Sequence, residues 1–140
     1  MIVVLDTSVF VASLLSPDGI NREVLRRCLR KQLQPLMGAA LLAEYEDLLN
    51  RNAIFANSPI SSRERWDLFE SLLSVSKWTT IFFGWRPNLR DESDNHLVEL
   101  AVAGNASVIV TNNIKDFIGS ELHFQKLDIL TPLQLIERIS

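Results

Sequence analysis

Cysteine is nearly missing from this 140-residue chain: Cys28 stands alone, so no internal disulfide can form. Small secreted domains usually staple themselves with several bridges, and a reducing, cytoplasmic compartment is therefore expected. Two histidines, His96 and His123, complete a set too sparse for a zinc site of the usual Cys/His spacing. No apolar run approaches the roughly 20 residues that cross a bilayer, so no membrane span is expected. The opening MIVVLD carries an acid at position 6 but no basic stretch or small-residue cleavage site, and is not expected to be a signal peptide. Glycine-rich phosphate loops are absent, as are internal repeats, low-complexity tracts and long linkers. One domain over residues 1–140, large enough for a single core, is the expectation.

What remains is ordinary globular material, 47% hydrophobic and 22% charged, a balance that excludes disorder and fibrous repeats. The net charge of −3 sets a condition on function. Proteins that grip nucleic acid by phosphate neutralisation alone are usually basic, so such a role here would need a local basic patch or bound cations.

Short apolar runs alternate with helical patterns between turn signals at Ser16-Pro17-Asp18-Gly19, Asn57-Ser58-Pro59, Gly84-Trp85-Arg86-Pro87 and Thr131-Pro132. Ile2 to Leu5 reads as a strand buried on both faces. Residues 19–33 read as an amphipathic helix, with Ile20, Val24, Leu25, Cys28 and Leu29 on one stripe and arginines elsewhere. Leu36 and Met37 suggest a short strand, and Leu41, Tyr45, Leu48 and Leu49 a further helix. Ser61 and Glu64 have capping-box spacing ahead of Trp66, Phe69 and Leu73. Thr79 to Phe83 is expected to be a strand, and residues 94–103 a helix ended by Gly104 in a left-handed cap. Strands follow at Ser107 to Thr111 and Leu127 to Leu130, then a helix capped by Thr131 with Pro132 at its first position. Strands spaced by helices imply a parallel sheet covered on both faces, with ligands beyond the carboxyl ends of its strands.

Acids stand where that rule points. Asp6 directly follows the first strand, and Asp116 lies a few residues after the strand ending at Thr111. Either could merely cap a helix; if the two strands are neighbours, both carboxylates converge on one crevice. Asp94 shares a helical face with Leu97, Val98 and Ala101, so it points along the core stripe rather than only capping. Glu44 and Glu46 flank opposite edges of their helix's apolar stripe, and periodicity does not choose between them. Carboxylates about 4 Å apart repel by roughly 4 kcal/mol per pair at an effective dielectric near 20. Protonation or a cation relieves this, and hard ions such as Mg²⁺ or Mn²⁺ prefer oxygen ligands.

Four segments taken in order resemble the motifs of PIN domains. They are Leu5-Asp6-Thr7-Ser8-Val9, Leu42-Ala43-Glu44-Tyr45, Asp91-Glu92-Ser93-Asp94-Asn95-His96-Leu97 leading to Ala101, and Val110-Thr111-Asn112-Asn113-Ile114-Lys115-Asp116-Phe117. They are most similar to the VapC-like toxin components of bacterial toxin–antitoxin pairs. The resemblance implies a three-layer α/β/α sandwich with a central, mainly parallel sheet. It implies an Mg²⁺- or Mn²⁺-dependent ribonuclease, an RNA substrate, a cognate antitoxin protein and a homodimer. By the same resemblance Asp6, Glu44, Asp94 and Asp116 are the catalytic, metal-binding acids, and Ser8 and Thr111 are supporting hydroxyls. Many PIN domains carry an acid where this chain has Asn113; related toxins place it three residues later, as at Asp116. Asn113 is then a supporting position, and the number of metal ions stays open.

Other residues carry weaker signals. Arg22, Arg26 and Arg30 could contact RNA or an acidic partner, although a solvated helix face explains them as well. His96 could move protons beside Asp94, yet the expectation is solvent exposure; His123 is at no ligand spacing. Trp66, Trp78 and Trp85 read as core or interface residues, and Cys28 as packing. Two competing functions are a PIN fold that only binds RNA or protein, and an aspartate-based phosphatase or phosphotransfer domain. The latter would want a second acid at position 8, where Ser8 stands.

Overall fold

The computed structural model describes residues 1–81, 95–117 and 127–140. Within them, five strands form one sheet in the order β3-β2-β1-β4-β5. The strands are β1 (Ile2–Leu5), β2 (Gln34–Met37), β3 (Lys77–Trp78), β4 (Val108–Val110) and β5 (Asp128–Leu130). Every pairing is parallel. Val3, Val4, Val108, Ile109 and Val110 are fully buried, the pattern expected of β-branched runs covered on both faces.

Six helices among the described residues accompany the sheet: α1 (Thr7–Leu15), α2 (Ile20–Leu29), α3 (Ala39–Leu49), α4 (Ser62–Val75), α5 (Asn95–Ala103) and α6 (Pro132–Ile139). Chain order explains the layers. From β1 to β2 and β3 the chain runs toward one edge, then returns through α5 to β4, on the other side of β1. Right-handed crossovers in opposite directions put α5 on the face opposite α1 and α2. The contacts agree: α2 packs against α1, α4 and α6, whereas α5 lies on β1, β2 and β4. The α/β/α sandwich expected from the sequence is the fold observed.

Several local readings need correction. The turn after Asp6 is helical at once, forming α1 over a segment with no polar break, and the sequence reading had no helix there. The helix expected over 19–33 stops at Leu29, with Lys31 at φ 64°. There Lys31 N–H donates to Cys28 O and Gln32 N–H to Arg27 O, the two bonds of a Schellman end. The strand expected at Thr79–Phe83 lies earlier, at Lys77–Trp78. Its partner β2 ends at Met37 and turns into α3 at Gly38, so pairing finishes with Thr79 N–H donating to Met37 O. Residues 79–81 lie outside any strand, and residues 82 and 83 lie outside the described residues.

Gly104 is not the left-handed residue after α5; Asn105 is, at φ 58°. Asn105 N–H donates to Val102 O and Ala106 N–H to Ala101 O, again a Schellman end. Gly104 is required for another reason: a Cβ there would sit 2.2 Å from Leu36 Cδ1. Glycine lets α5 close onto β2.

The capping readings hold. Ser61 with Glu64 and Thr131 with Gln134 each form a reciprocal capping box, and Pro132 opens α6. Beneath the carboxyl end of β1, Phe10, Tyr45 and Phe69 lock α1, α3 and α4 together, with ring centroids 5.3–6.0 Å apart. Tyr45 then donates its hydroxyl to Leu5 O at 3.0 Å, fixing α3 against the end of β1.

Candidate active site

Sheet order places β1 beside β4, in the register Leu5↔Val110. From β1 the chain departs toward β2, and from β4 toward β5, so the strand order reverses between them. Asp6 and Thr111, the residues that follow these strands, stand at the mouth of that crevice. Asp6 N–H donates to Val110 O at 2.9 Å.

Asp6 is buried, with 5% of its surface exposed, and occupies the N-cap position of α1. Its side chain makes no capping bond, which rules out the simplest structural account of this acid. Instead Oδ2 accepts Thr111 Oγ1 at 2.7 Å and Ser8 Oγ at 3.0 Å. Backbone amides orient both hydroxyls: Asn113 N–H donates to Thr111 Oγ1, and Asn112 N–H to Ser8 Oγ. With their acceptor side engaged, the hydroxyls turn their protons toward the carboxylate. Asp6 Oδ1 has a 3.4 Å contact with Thr7 Oγ1, which lies closer to Glu44 Oε1, at 2.7 Å, and directs its proton there. Oδ1 is thus the Asp6 atom with the most capacity left for a cation.

Glu44 is the second acid brought to this place. Thr7 joins it to Asp6, and His96 Nε2 lies 2.7 Å from Glu44 Oε2. Glu46 is exposed, so the tertiary fold separates the two glutamates that periodicity left level. His96 departs from the expectation of solvent exposure: its side chain is 19% exposed and paired, because α5 packs against α3.

Asp116 sits in a 3-10 turn over Ile114–Asp116 after β4, half-buried. Its backbone N–H bonds Asn113 O, and its carboxylate has no hydrogen-bond partner among the described residues. Asn113 supports the site through its backbone N–H, while its side chain faces solvent. Asp94 lies outside the described residues, but its helical neighbours Leu97, Val98 and Ala101 are buried as that stripe requires. Among the described residues, no three acids, histidines or cysteines gather closely enough to hold an ion by themselves. The donors present are oxygens, among them those of two carboxylates that flank the Thr7 hydroxyl, a set that fits a hard divalent ion completed by water or further acids.

A family model for the PIN domain matches residues 2–115, which contain Asp6, Thr7, Ser8, Glu44, His96 and Thr111 and stop one residue short of Asp116. The chain belongs to the PIN-domain family. No curated protein matches it by sequence. The fold of this PIN domain is similar to that in a crystal structure described as VapBC2 from Rickettsia felis bound to a DNA fragment from their promoter. The match has a TM-score of 0.59 and 17% sequence identity, and covers 94% of this chain and 98% of that one. The likeness is one of fold.

The basic face of this PIN domain is largely engaged with its own chain. Arg22 donates to Ser13 O at 3.0 Å, and burial lowers its pKa from the ordinary arginine value. Arg26 bonds Glu23 and Pro17 O, and Arg27 bonds Glu23. Arg30 remains exposed. Cys28 is buried, as its place on the apolar stripe implies, and burial pushes its thiol up to about 12. Trp66 packs edge-on against Phe69. Trp78 is 55% exposed and so is not a core residue; Trp85 and His123 lie outside the described residues. Sequence reasoning missed Thr7 as a site residue. Its signal was faint, a hydroxyl residue wedged between Asp6 and Ser8 at an unrecognised helix start.

Proposed function

We propose that this PIN domain is a metal-dependent endoribonuclease that hydrolyses RNA phosphodiester bonds, acting as the toxin of a toxin–antitoxin pair. The observation that carries the reading is the junction at the sheet's switch point. There a buried Asp6, aimed by Ser8 and Thr111, is linked through Thr7 to Glu44.

Asp6, Glu44, Asp94 and Asp116 would hold Mg²⁺ or Mn²⁺, directly or through water. When bound, such an ion would supply Lewis-acid chemistry, lowering the pKa of a water and offsetting charge on the phosphodiester. The protein supplies position. Thr111 and Ser8 fix the plane of the Asp6 carboxylate, and the amino end of α1 adds a partial positive charge beside an incoming phosphate. Held acids avoid reorganisation when the substrate arrives. The same cation answers the acidic net charge, since the helix with most arginines spends Arg22, Arg26 and Arg27 on internal contacts.

The similar fold in the VapBC2 structure supports a cognate antitoxin as partner. Homodimerisation and a cytoplasmic location belong to the same reading. Among the described residues no helix is long and apolar enough to cross a membrane. Incubation of the purified protein with RNA and Mn²⁺ is expected to release defined fragments, and Asp6→Asn or excess EDTA to abolish them. Cleavage that survives both would overturn the mechanism. Induced expression followed by sequencing of RNA 5′ ends would locate the target.

A further inference from the structure

The Glu44 carboxylate is gripped at both oxygens by residues outside the family's acid set. Oε1 accepts the Thr7 hydroxyl at 2.7 Å, and Oε2 meets His96 Nε2 at 2.7 Å. The three residues come from different helices: Thr7 opens α1, Glu44 is midway along α3, and His96 lies in the first turn of α5. These helices are held against one another independently of the polar contacts. Phe10 and Tyr45 pack α1 on α3, Leu97, Val98, Leu100 and Ala101 bury α5, and Tyr45 ties α3 to Leu5 O. The grip is therefore built on a scaffold that exists without it.

We infer that Thr7 and His96 are positioning residues that set the Glu44 carboxylate for a divalent cation, a role that rests on the metal-dependent reading above. One contact on each oxygen fixes both the plane and the rotation of the carboxylate. A glutamate has three rotatable side-chain bonds, and holding it in one pose before the ion arrives removes an ordering cost from binding. Thr7 is itself determined. It is buried, and its proton has a 2.7 Å acceptor in Glu44 against a 3.4 Å contact with Asp6. His96 is oriented by elimination. Nδ1 is buried with no partner among the described residues, so the Glu44 contact is the polar interaction that sets its ring. Whatever charge the ring carries, Nε2 must hold a proton to meet an ionised carboxylate. Partners of this kind commonly change metal affinity by about 10–100-fold when removed.

The test measures Mn²⁺ binding by calorimetry on the full chain without RNA, alongside thermal melting in EDTA. Thr7→Val and His96→Leu are each expected to weaken Mn²⁺ binding at least about tenfold. Thr7→Ser restores the hydroxyl, and His96→Gln places an amide donor near the Nε2 position; both are expected to bind within about threefold of the parent. Equal loss in Thr7→Val and Thr7→Ser, or melting in EDTA that falls in step with affinity, would show general destabilisation and overturn the assignment. Parent-like Mn²⁺ affinity in Thr7→Val and His96→Leu would overturn it too, while leaving the metal reading standing. A parent protein that binds no Mn²⁺ would overturn the metal reading itself, and the assignment with it.

Discussion

Asp6 and Asp116 are alike in the sequence: each is an acid shortly after a buried strand at the sheet's centre. In three dimensions they differ in kind. Asp6 is buried, receives two hydroxyl protons on one oxygen and abuts a third hydroxyl on the other. Asp116 is half-buried on a short 3-10 turn, and its carboxylate has no hydrogen-bond partner among the described residues. A carboxylate removed from water must be satisfied by the protein, so burial selects a supporting shell; one left near water needs none and keeps its freedom. Under the metal-dependent function proposed above, the rigid acid would suit the fixed side of a metal site, and the freer one a ligand that engages through water or on substrate binding.

The sharpest way to break this comparison is to neutralise each acid in turn. Asp6→Asn is expected to lower RNA cleavage by about a thousandfold, some 4 kcal/mol of transition-state stabilisation. Asp116→Asn is expected to cost only about tenfold, as for an outer ligand. Single-turnover rates at saturating Mn²⁺ decide it, and equal losses would dissolve the distinction.

The shell around Asp6 offers a second cut. Thr111→Val removes the 2.7 Å bond to Asp6 and strands the Asn113 N–H, so urea unfolding should show a loss of about 1–3 kcal/mol. Asp116→Ala, with no such bonds to lose, is expected to change stability by less than about 0.5 kcal/mol.

The buried core should respond to pH as well. Burial holds the Cys28 thiol at about 12, above its ordinary value of 9.0. Above pH 9 the unfolded chain then releases a proton that the folded one keeps, and stability falls as pH rises toward 12. The slope approaches about 1.4 kcal/mol per pH unit. Tyr45, raised first by burial and then by Asp6, steepens the same limb. Unfolding of Cys28→Ala from pH 8 to 11 should be flatter than that of the parent. An unchanged slope would show that the thiol ionises freely in the folded state.

The smallest effect is expected farthest from both acids. Arg30→Ala should leave stability within about 0.5 kcal/mol, whereas Arg22→Ala, which loses the bond to Ser13 O, should exceed it. An equal response of the two in thermal melting would mean that Arg22 is as solvated as Arg30.

Much of this was legible before any coordinates. The apolar run Ile2–Leu5, the stripe of Leu41, Tyr45 and Leu49, and the caps at Ser61 and Thr131 are signals written within a few residues. Propensity, periodicity and capping act over that range, so sequence reading reached them. The helix α1 escaped because its segment, TSVFVASLL, is apolar on most faces and offers no amphipathic period. The left-handed residue after α5 was misread as Gly104, since local rules favour glycine there. Close approach to Leu36, a residue 68 positions away, is what demands it.

By itself, then, the sequence determined most of the elements, the alternation that yields a parallel sheet, the acids available and the family. Only the tertiary structure decided which groups meet. The turn of Asp6 away from its helix and toward Thr111, and the engagement of Glu44 by Thr7 and His96, depend on contacts between residues 37 to 105 apart. Periodicity states which face of a helix is turned inward. What waits opposite that face is set by sheet order and by the packing of one helix on another.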